Sequence, residues 1–164
     1  MRKAILTLLP ALIALSGCGH GGGSGTSNSR ETAAAISAYM SKEYSREQTS
    51  FRANLQALEN NEAANDQECT QHHLAVVANL KKAQVQTFLN AVIAFIQAEN
   101  SKNQIDKAAV APLFATYQTE DAGWIASASM TPACGFTAEM ISATGYPVAI
   151  ASYYATTLGQ VNAM

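Results

Sequence analysis

The chain has 164 residues, of which 48% are hydrophobic and 13% are charged, about half the charged share of an ordinary soluble domain. Its formal net charge is -2, and without Arg2 and Lys3 it would be about -4, with eight basic against twelve acidic side chains. This mildly acidic balance excludes nucleic acid as a partner, because such binding rests on neutralising phosphates with Lys and Arg, and the length indicates a single domain.

The first residues have the layout of an export signal. Arg2 and Lys3 precede an apolar segment from Ala4 to Leu15, which small residues follow. An apolar run of about a dozen residues is too short for a bilayer, which needs roughly 20. We therefore expect residues 1–17 to be a signal peptide that is cleaved.

The end of this signal carries a recognisable motif. Leu15-Ser16-Gly17-Cys18 resembles the lipobox of bacterial lipoproteins: an aliphatic residue, two small residues and a cysteine. The resemblance implies that Cys18 receives lipid and becomes the new amino terminus, and that the protein stays on the membrane because two or more acyl chains anchor stably. Gly19, in place of Asp, implies the outer membrane, with the domain facing the periplasm. An ordinary secretory signal with a chance cysteine is the alternative.

Residues 18–29 are predicted to be the lipidated cysteine and a flexible tether. The stretch after Cys18 reads GHGGGSGTSNS and offers no side chain for a core. Such a linker has a root-mean-square reach of roughly 18 Å, and His20 is interpreted as a solvated spacer within it. The folded domain is then expected over residues 30–164.

Helix composition begins at Arg30. Between Arg30 and Gln118 there is no glycine and only one proline, Pro112, which favours helices over strands. A first helix is predicted with Asn28 as its cap and a buried stripe at helical spacing, formed by Ile36, Met40, Tyr44, Phe51, Leu55 and Leu58. The solvated face is predicted to hold Glu43, Arg46, Glu47, Arg52, Glu59 and Glu62.

A second helix is predicted from about Thr70 to Asn100. Its apolar residues form a dense face, and its middle reads NAVIAFIQ. A membrane span is the alternative, but Lys, Gln and Asn interrupt the sequence too often for one. We interpret it as a core helix.

The remaining elements are predicted to be shorter. Ser101 and Gln104 form a capping-box pattern for a third helix to about Glu120, which Pro112 should bend or break. Pieces follow at Trp124–Met130 and Thr137–Thr144, and a last helix begins at Pro147. The predicted fold class is all-α, an irregular bundle of about four main helices.

Two cysteines remain if lipid takes Cys18. In an oxidising compartment Cys69 and Cys134 are expected to form a disulfide, with two free thiols as the alternative. Cys69 also lies at i, i+3 and i+4 with His72 and His73, a spacing that could suit a transition metal. Because the disulfide would consume the cysteine, we expect no metal and interpret this segment as a solvated helix start.

Catalytic motifs do not stand out in this sequence. There is no G-x-S-x-G nucleophile motif, and no Lys follows the glycines of the tether as in a phosphate loop. One of only three histidines lies in the tether. We therefore expect no catalytic residue and no cofactor.

The charge deficit is local to the last third of the chain. From Ala122 to Met164 the only charged side chain is Glu139. Either this part is an inner layer that the first two helices cover, or part of it meets a partner, since aromatic enrichment with charge depletion is typical of interface cores. The candidate partner surface comprises Trp124, Tyr146, Tyr153 and Tyr154.

Together these patterns predict a lipoprotein of the outer membrane that binds or assembles with an envelope protein and is not an enzyme. Two alternatives stay open at this point. One is an inhibitor or immunity lipoprotein that neutralises a periplasmic toxin or lytic enzyme. The other is an envelope enzyme, which a cleft with a titratable pair of strongly shifted pKa would favour.

Overall fold

The structure, a computed structural model, describes residues 26–65, 69–102, 105–127 and 134–164. These residues form six helices: α1 (Thr26–Ala63), α2 (Gln71–Lys102), α3 (Lys107–Val110), α4 (Leu113–Ser127), α5 (Ala138–Ala143) and α6 (Tyr146–Ala163). None of the described residues is in a strand. The four longer helices confirm the predicted all-α bundle of about four main helices. The predicted signal peptide and Cys18 lie outside the described residues.

The two longest helices form an antiparallel hairpin. Tyr39 of α1 stacks on Phe95 of α2 with ring centroids 4.1 Å apart, and Tyr44 meets Phe88 edge-on at 5.3 Å. Residue numbers rise along α1 while those of their partners fall along α2, so the two helices run in opposite directions. The α2 helix also packs against α6, and α6 packs against α4.

The core takes fully buried apolar side chains from each long helix, including Ile36, Phe88, Phe114 and Ile150, all 0% exposed. Removing such a side chain from water stabilises the fold by about 1.5–3 kcal/mol. The predicted stripe of α1 is buried at Ile36, Met40 and Phe51, whereas Tyr44, Leu55 and Leu58 are only partly buried.

Three predicted solvent-facing residues of α1 are instead buried: Glu43, Glu47 and Glu62, at 4%, 8% and 5% exposure. That part of the prediction is wrong, although Arg46 and Arg52 are exposed as expected. Arg46 forms ion pairs with both Glu43 and Glu47, and its own side chain is 63% exposed. The paired guanidinium lets both carboxylates lie at the border of the core without being isolated charges.

Helix α1 begins earlier than the sequence predicts. It starts at Thr26, so Asn28 is helical and is not the cap, and the last four residues of the predicted tether belong to the helix.

The boundary between α2 and α3 also differs from the prediction. Ser101 does not cap a helix: it lies in α2, where its Oγ donates to the Ala98 carbonyl at 2.7 Å. The cap is Asp106, whose carboxylate accepts from the backbone N–H groups of Ala108 and Ala109 and satisfies two free donors at the start of α3. Both Ser and Asp are capping residues by type, so the sequence pattern alone did not separate them.

Two prolines lie at helix boundaries, as predicted. Pro112 lies in the turn between α3 and α4, and Pro147 lies in the first turn of α6. Thr137 caps α5, as the predicted start there required. Gly145 turns the chain into α6 with a φ of 66°, a left-handed conformation that glycine adopts without strain. Trp124 does not begin a separate helix, because α4 continues through it to Ser127.

Candidate functional site

A charged pair lies at the centre of the bundle. Lys81 of α2 and Asp121 of α4 are both 0% exposed in their side chains, and the Lys81 Nζ lies 2.9 Å from Asp121 Oδ1. We call this pair and its hydrogen-bonding neighbours the buried polar centre, which consists of Tyr44, Lys81, Gln84, Asp121, Tyr146 and Tyr154. Buried charges persist in folded proteins when they are paired and hydrogen-bonded.

Asp121 joins three tyrosines from two other helices. Tyr44 of α1 donates its hydroxyl to Asp121 Oδ1 at 3.0 Å, and Tyr154 of α6 donates to Oδ2 at 2.8 Å. Tyr146 of α6 donates to the Asp121 backbone carbonyl at 2.5 Å. With Lys81 from α2, every long helix therefore contributes a side chain to this one carboxylate and its peptide group.

The Lys81 ammonium has further partners on its other sides. It donates to Gln84 Oε1 at 2.6 Å. The rings of Phe51, Trp124 and Tyr44 surround it, with centroids 5.3, 5.5 and 5.9 Å from Nζ. Cation–π attraction is strongest where water is excluded, as it is around this fully buried group.

Burial shifts the pKa values of these groups. Desolvation lowers the pKa of Lys81 below its ordinary value, and the charge of Asp121 opposes that shift. Desolvation first, and the negative charge of Asp121 second, raise the pKa of Tyr44, Tyr146 and Tyr154. All three hydroxyls therefore stay protonated and keep donating well into the alkaline range.

Shifted pKa values of this kind also occur in active sites, where a ligand can reach the groups. Here Lys81, Asp121, Tyr146 and Tyr154 are all 0% exposed, and helices cover them on every side. The arrangement can fix how the four long helices pack, and within the described part of the chain these four side chains have no exposed surface for a substrate to contact. The enzyme alternative required such groups in a cleft.

A separate surface feature lies between α2 and α6. It is a groove of about 120 Å³ in cavity volume, and we call it the α2–α6 groove. The described residues that line it are all uncharged: Gln86, Leu89, Asn90, Tyr153, Thr156, Thr157 and Gln160. Most of them carry an amide or a hydroxyl group, so the groove can both donate and accept hydrogen bonds.

The four aromatic residues of the predicted partner surface lie in different environments. Tyr146 and Tyr154 are buried in the polar centre and contribute nothing to a surface, so the prediction is wrong for these two rings. Their hydroxyls find partners on Asp121, which makes full burial of a tyrosine acceptable. Trp124 and Tyr153 are partly exposed, and Tyr153 lines the α2–α6 groove.

The structure joins Cys69 to Cys134, as the sequence predicts, with Cα atoms 4.8 Å apart. The bond links the start of α2 to the segment before α5. Nearby, His72 is exposed and His73 is buried. Among the described residues, no three His, Cys, Asp or Glu side chains come together in a way that could hold a metal ion.

No helix in the described ranges combines the length and the hydropathy that a membrane span requires. This includes α2, where Lys81 lies inside the apolar face.

The buried polar centre is not among the features that the sequence predicts, although α2 carries one signal for it. Lys81 follows Leu74 and Val77 and precedes Val85 and Phe88 at spacings of three and four residues, so it occupies a position on the buried face. A lysine at such a position requires a buried partner. The sequence does not indicate which distant acid provides it.

Comparison with known proteins returned no relative: no family model, no curated protein and no solved structure matches this chain.

Proposed function

We propose that the protein is a lipid-anchored binding module of the cell envelope, attached to the outer membrane through Cys18 and presenting its helical domain to an envelope protein in the periplasm. The observation that carries this proposal is the surface of α6. This helix has no charged residue along its 18 positions, yet much of it faces solvent. Solvated helix faces ordinarily carry charges.

The exposed part of α6 has an unusual residue. Val148 is 77% exposed and is the large hydrophobic side chain that stands out on the described surface. Ala151, Ser152 and Ala155 are exposed on the following turns. Depletion of charged residues is typical of the centre of protein interfaces, where charges would be costly to desolvate.

The buried polar centre supports a binding role over a catalytic one. Lys81, Asp121, Tyr146 and Tyr154 connect α2, α4 and α6 and are fully buried, whereas the uncharged surface of α6 is accessible. The rigid bundle then serves to present a fixed helical surface, which limits the entropy lost when a partner binds.

Site-specific photo-crosslinking in intact envelopes tests this function. A photoreactive amino acid at Val148 should give one discrete protein adduct on full-length, membrane-attached chain. The same probe at Ala57, an exposed alanine on α1, should not. The identity of the adduct then separates an assembly partner from a toxin or lytic enzyme.

A charge substitution completes the test. Ala151→Glu should abolish the Val148 adduct without lowering the melting temperature, because position 151 is exposed and the change places an unpaired charge in the interface. An adduct that is equally strong from both probe positions, or that survives Ala151→Glu, would contradict the proposal.

A further inference from the structure

Three amide side chains of the α2–α6 groove are available to a ligand. Gln86 and Asn90 lie one turn apart on α2, and Gln160 lies opposite on α6; all three side chains are exposed. Within the described part of the chain their amides form no hydrogen bond. Each amide offers two donors and an acceptor, so a ligand here meets a dense and adaptable set of partners.

Tyr153 provides the apolar surface of the same groove. Its ring is partly buried against the core and partly open to the groove, beside Leu89. Because the side chain packs against the core, it has less rotational freedom than a fully exposed tyrosine. A restricted aromatic ring loses less conformational entropy when a flat apolar ligand surface packs on it.

The absence of charge among the described lining residues narrows the ligand class. A phosphate or carboxylate would find no Lys or Arg to pair with there, and a cationic ligand would find no Asp or Glu. The ligand expected is therefore neutral, rich in hydroxyl or amide groups, and apolar on one face.

Peptides fit this groove less well than sugars. Addition of a strand requires a sheet edge, and no strand occurs in the described ranges. Docking of an amphipathic helix requires an apolar groove, but Leu89 is the single aliphatic side chain among the described lining residues. A sugar ring has hydroxyls on its edge and C–H groups on its face, which match the amides and the tyrosine ring.

We propose that the α2–α6 groove binds one ring of an uncharged glycan, with the sugar face on Tyr153 and its hydroxyl or acetamido groups on Gln86, Asn90 and Gln160. The cavity of about 120 Å³ is smaller than the roughly 300–1,000 Å³ of sites for drug-sized ligands, which favours a single ring. This site is independent of the lipid anchor and of the Val148 surface, so it can fail while the function proposed above stands.

Titration of the full-length protein with two neutral tetrasaccharides tests the site. One probe is a β-1,4-linked tetramer of N-acetylglucosamine and the other a tetramer of glucose without acetamido groups. The detergent must have no sugar headgroup, because such a headgroup would compete. Amide chemical shifts should change at the α2–α6 groove with at least one probe, and the preferred probe identifies the class of glycan.

Two variants and one control connect binding to the groove. Tyr153→Ala should weaken binding about fivefold through the lost ring contact. Gln160→Ala, at an exposed position, should do so about fivefold through a lost hydrogen bond while the fold is unaffected. Gln97→Ala removes an exposed glutamine of α2 outside the groove and should leave the affinity unchanged.

The proposal is overturned if neither tetrasaccharide shifts groove resonances at millimolar concentration. It is also overturned if Gln160→Ala and Gln97→Ala bind equally well. Binding of an uncharged, unstructured peptide at the groove, with no response to either sugar, would assign the groove to a peptide instead.

Discussion

Replacing Asp121 with asparagine is the most direct perturbation of the buried polar centre. The amide has nearly the shape of the carboxylate, so the change removes a charge without opening a cavity. Lys81 then keeps its ammonium 0% exposed with no anion beside it. Tyr44 and Tyr154 lose charge-assisted hydrogen bonds and retain at most neutral ones.

The size of the effect follows from that uncompensated charge. Removing one partner of a buried ion pair costs about 3–5 kcal/mol. The total stability of a domain is about 5–15 kcal/mol, so Asp121→Asn should remove a large fraction of it. The melting temperature should fall by about 10 °C, because 1 kcal/mol corresponds to about 2–4 °C in a domain of this size.

Urea unfolding followed by circular dichroism measures this change, and a double-mutant cycle identifies its cause. Lys81→Met removes the positive charge that Asp121→Asn leaves unpaired. The protein with both substitutions should therefore be more stable than the one with Asp121→Asn alone. Glu31→Gln is the control, since Glu31 is an exposed carboxylate near the start of α1. It should change the free energy of unfolding by less than about 0.5 kcal/mol.

Two results would refute this reasoning. One is an Asp121→Asn protein within about 1 kcal/mol of the unmodified protein, which would mean that Lys81 does not depend on the carboxylate. The other is a double variant less stable than Asp121→Asn, which would mean that the ammonium contributes through its aromatic and glutamine partners and not through its charge pair.

The remaining predictions concern pH, the disulfide, the anchor and one helical glycine. The pKa values of the three tyrosines of the polar centre are raised in the folded protein, so above about pH 10 these tyrosines lose their phenolic protons in the unfolded chain but keep them in the folded one. The free energy of unfolding should therefore fall by up to about 1.4 kcal/mol per pH unit for each tyrosine. Lys81, whose pKa is lowered, should make the free energy of unfolding rise with pH until the pH reaches the ordinary lysine pKa of 10.5. Urea titrations from pH 9 to 11.5 measure the sum of the tyrosine and lysine effects, and a free energy of unfolding that stays constant above pH 10 would contradict the pKa shifts. Replacing Cys69 and Cys134 together with alanine should lower the free energy of unfolding by about 4 kcal/mol for a sequence separation of 65. Two freely alkylated thiols in unreduced protein isolated from the cell would show that the bond does not form there. Cys18→Ser should abolish labelling with an alkyne fatty acid and release the protein from the membrane, so undiminished label would disprove anchoring at that residue. Gly123→Ala should stabilise α4 by about 0.5–1 kcal/mol in the same urea assay, because a Cβ there meets nothing within 4 Å, and a loss of stability would be the contrary result.

Much of the helical fold follows from local sequence. The predicted second helix, Thr70 to Asn100, matches α2 within two residues at each end, because apolar periodicity and the lack of glycine act over that whole length. Pro112 and Pro147 separate helices where expected, since proline acts through its own ring and its missing N–H. Thr137 caps α5 through its own side chain. All of these are short-range effects.

The buried polar centre could not be predicted in the same way. Lys81 and Asp121 are 40 positions apart in the chain, and their tyrosine partners come from α1 and α6. Glu43 and Glu47 are a different case: they fall largely off the apolar stripe, which predicts exposure, but the neighbouring Arg46 pairs with both and makes their burial acceptable. Charge patterns predict exposure only as long as no distant partner is available, and sequence periodicity does not report such partners.

Tyr153 and Tyr154, which are adjacent in α6, connect the α2–α6 groove with the buried polar centre. Successive residues of a helix point about 100° apart, so Tyr154 enters the polar centre while Tyr153 lines the α2–α6 groove. The buried residues of α6 recur every three or four positions, at Tyr146, Ile150, Tyr154, Thr157 and Val161. The hydrogen bonds of Tyr146 and Tyr154 to Asp121 therefore fix the rotation of α6 about its axis. That rotation in turn determines which uncharged side chains face the groove and which face outward with Val148.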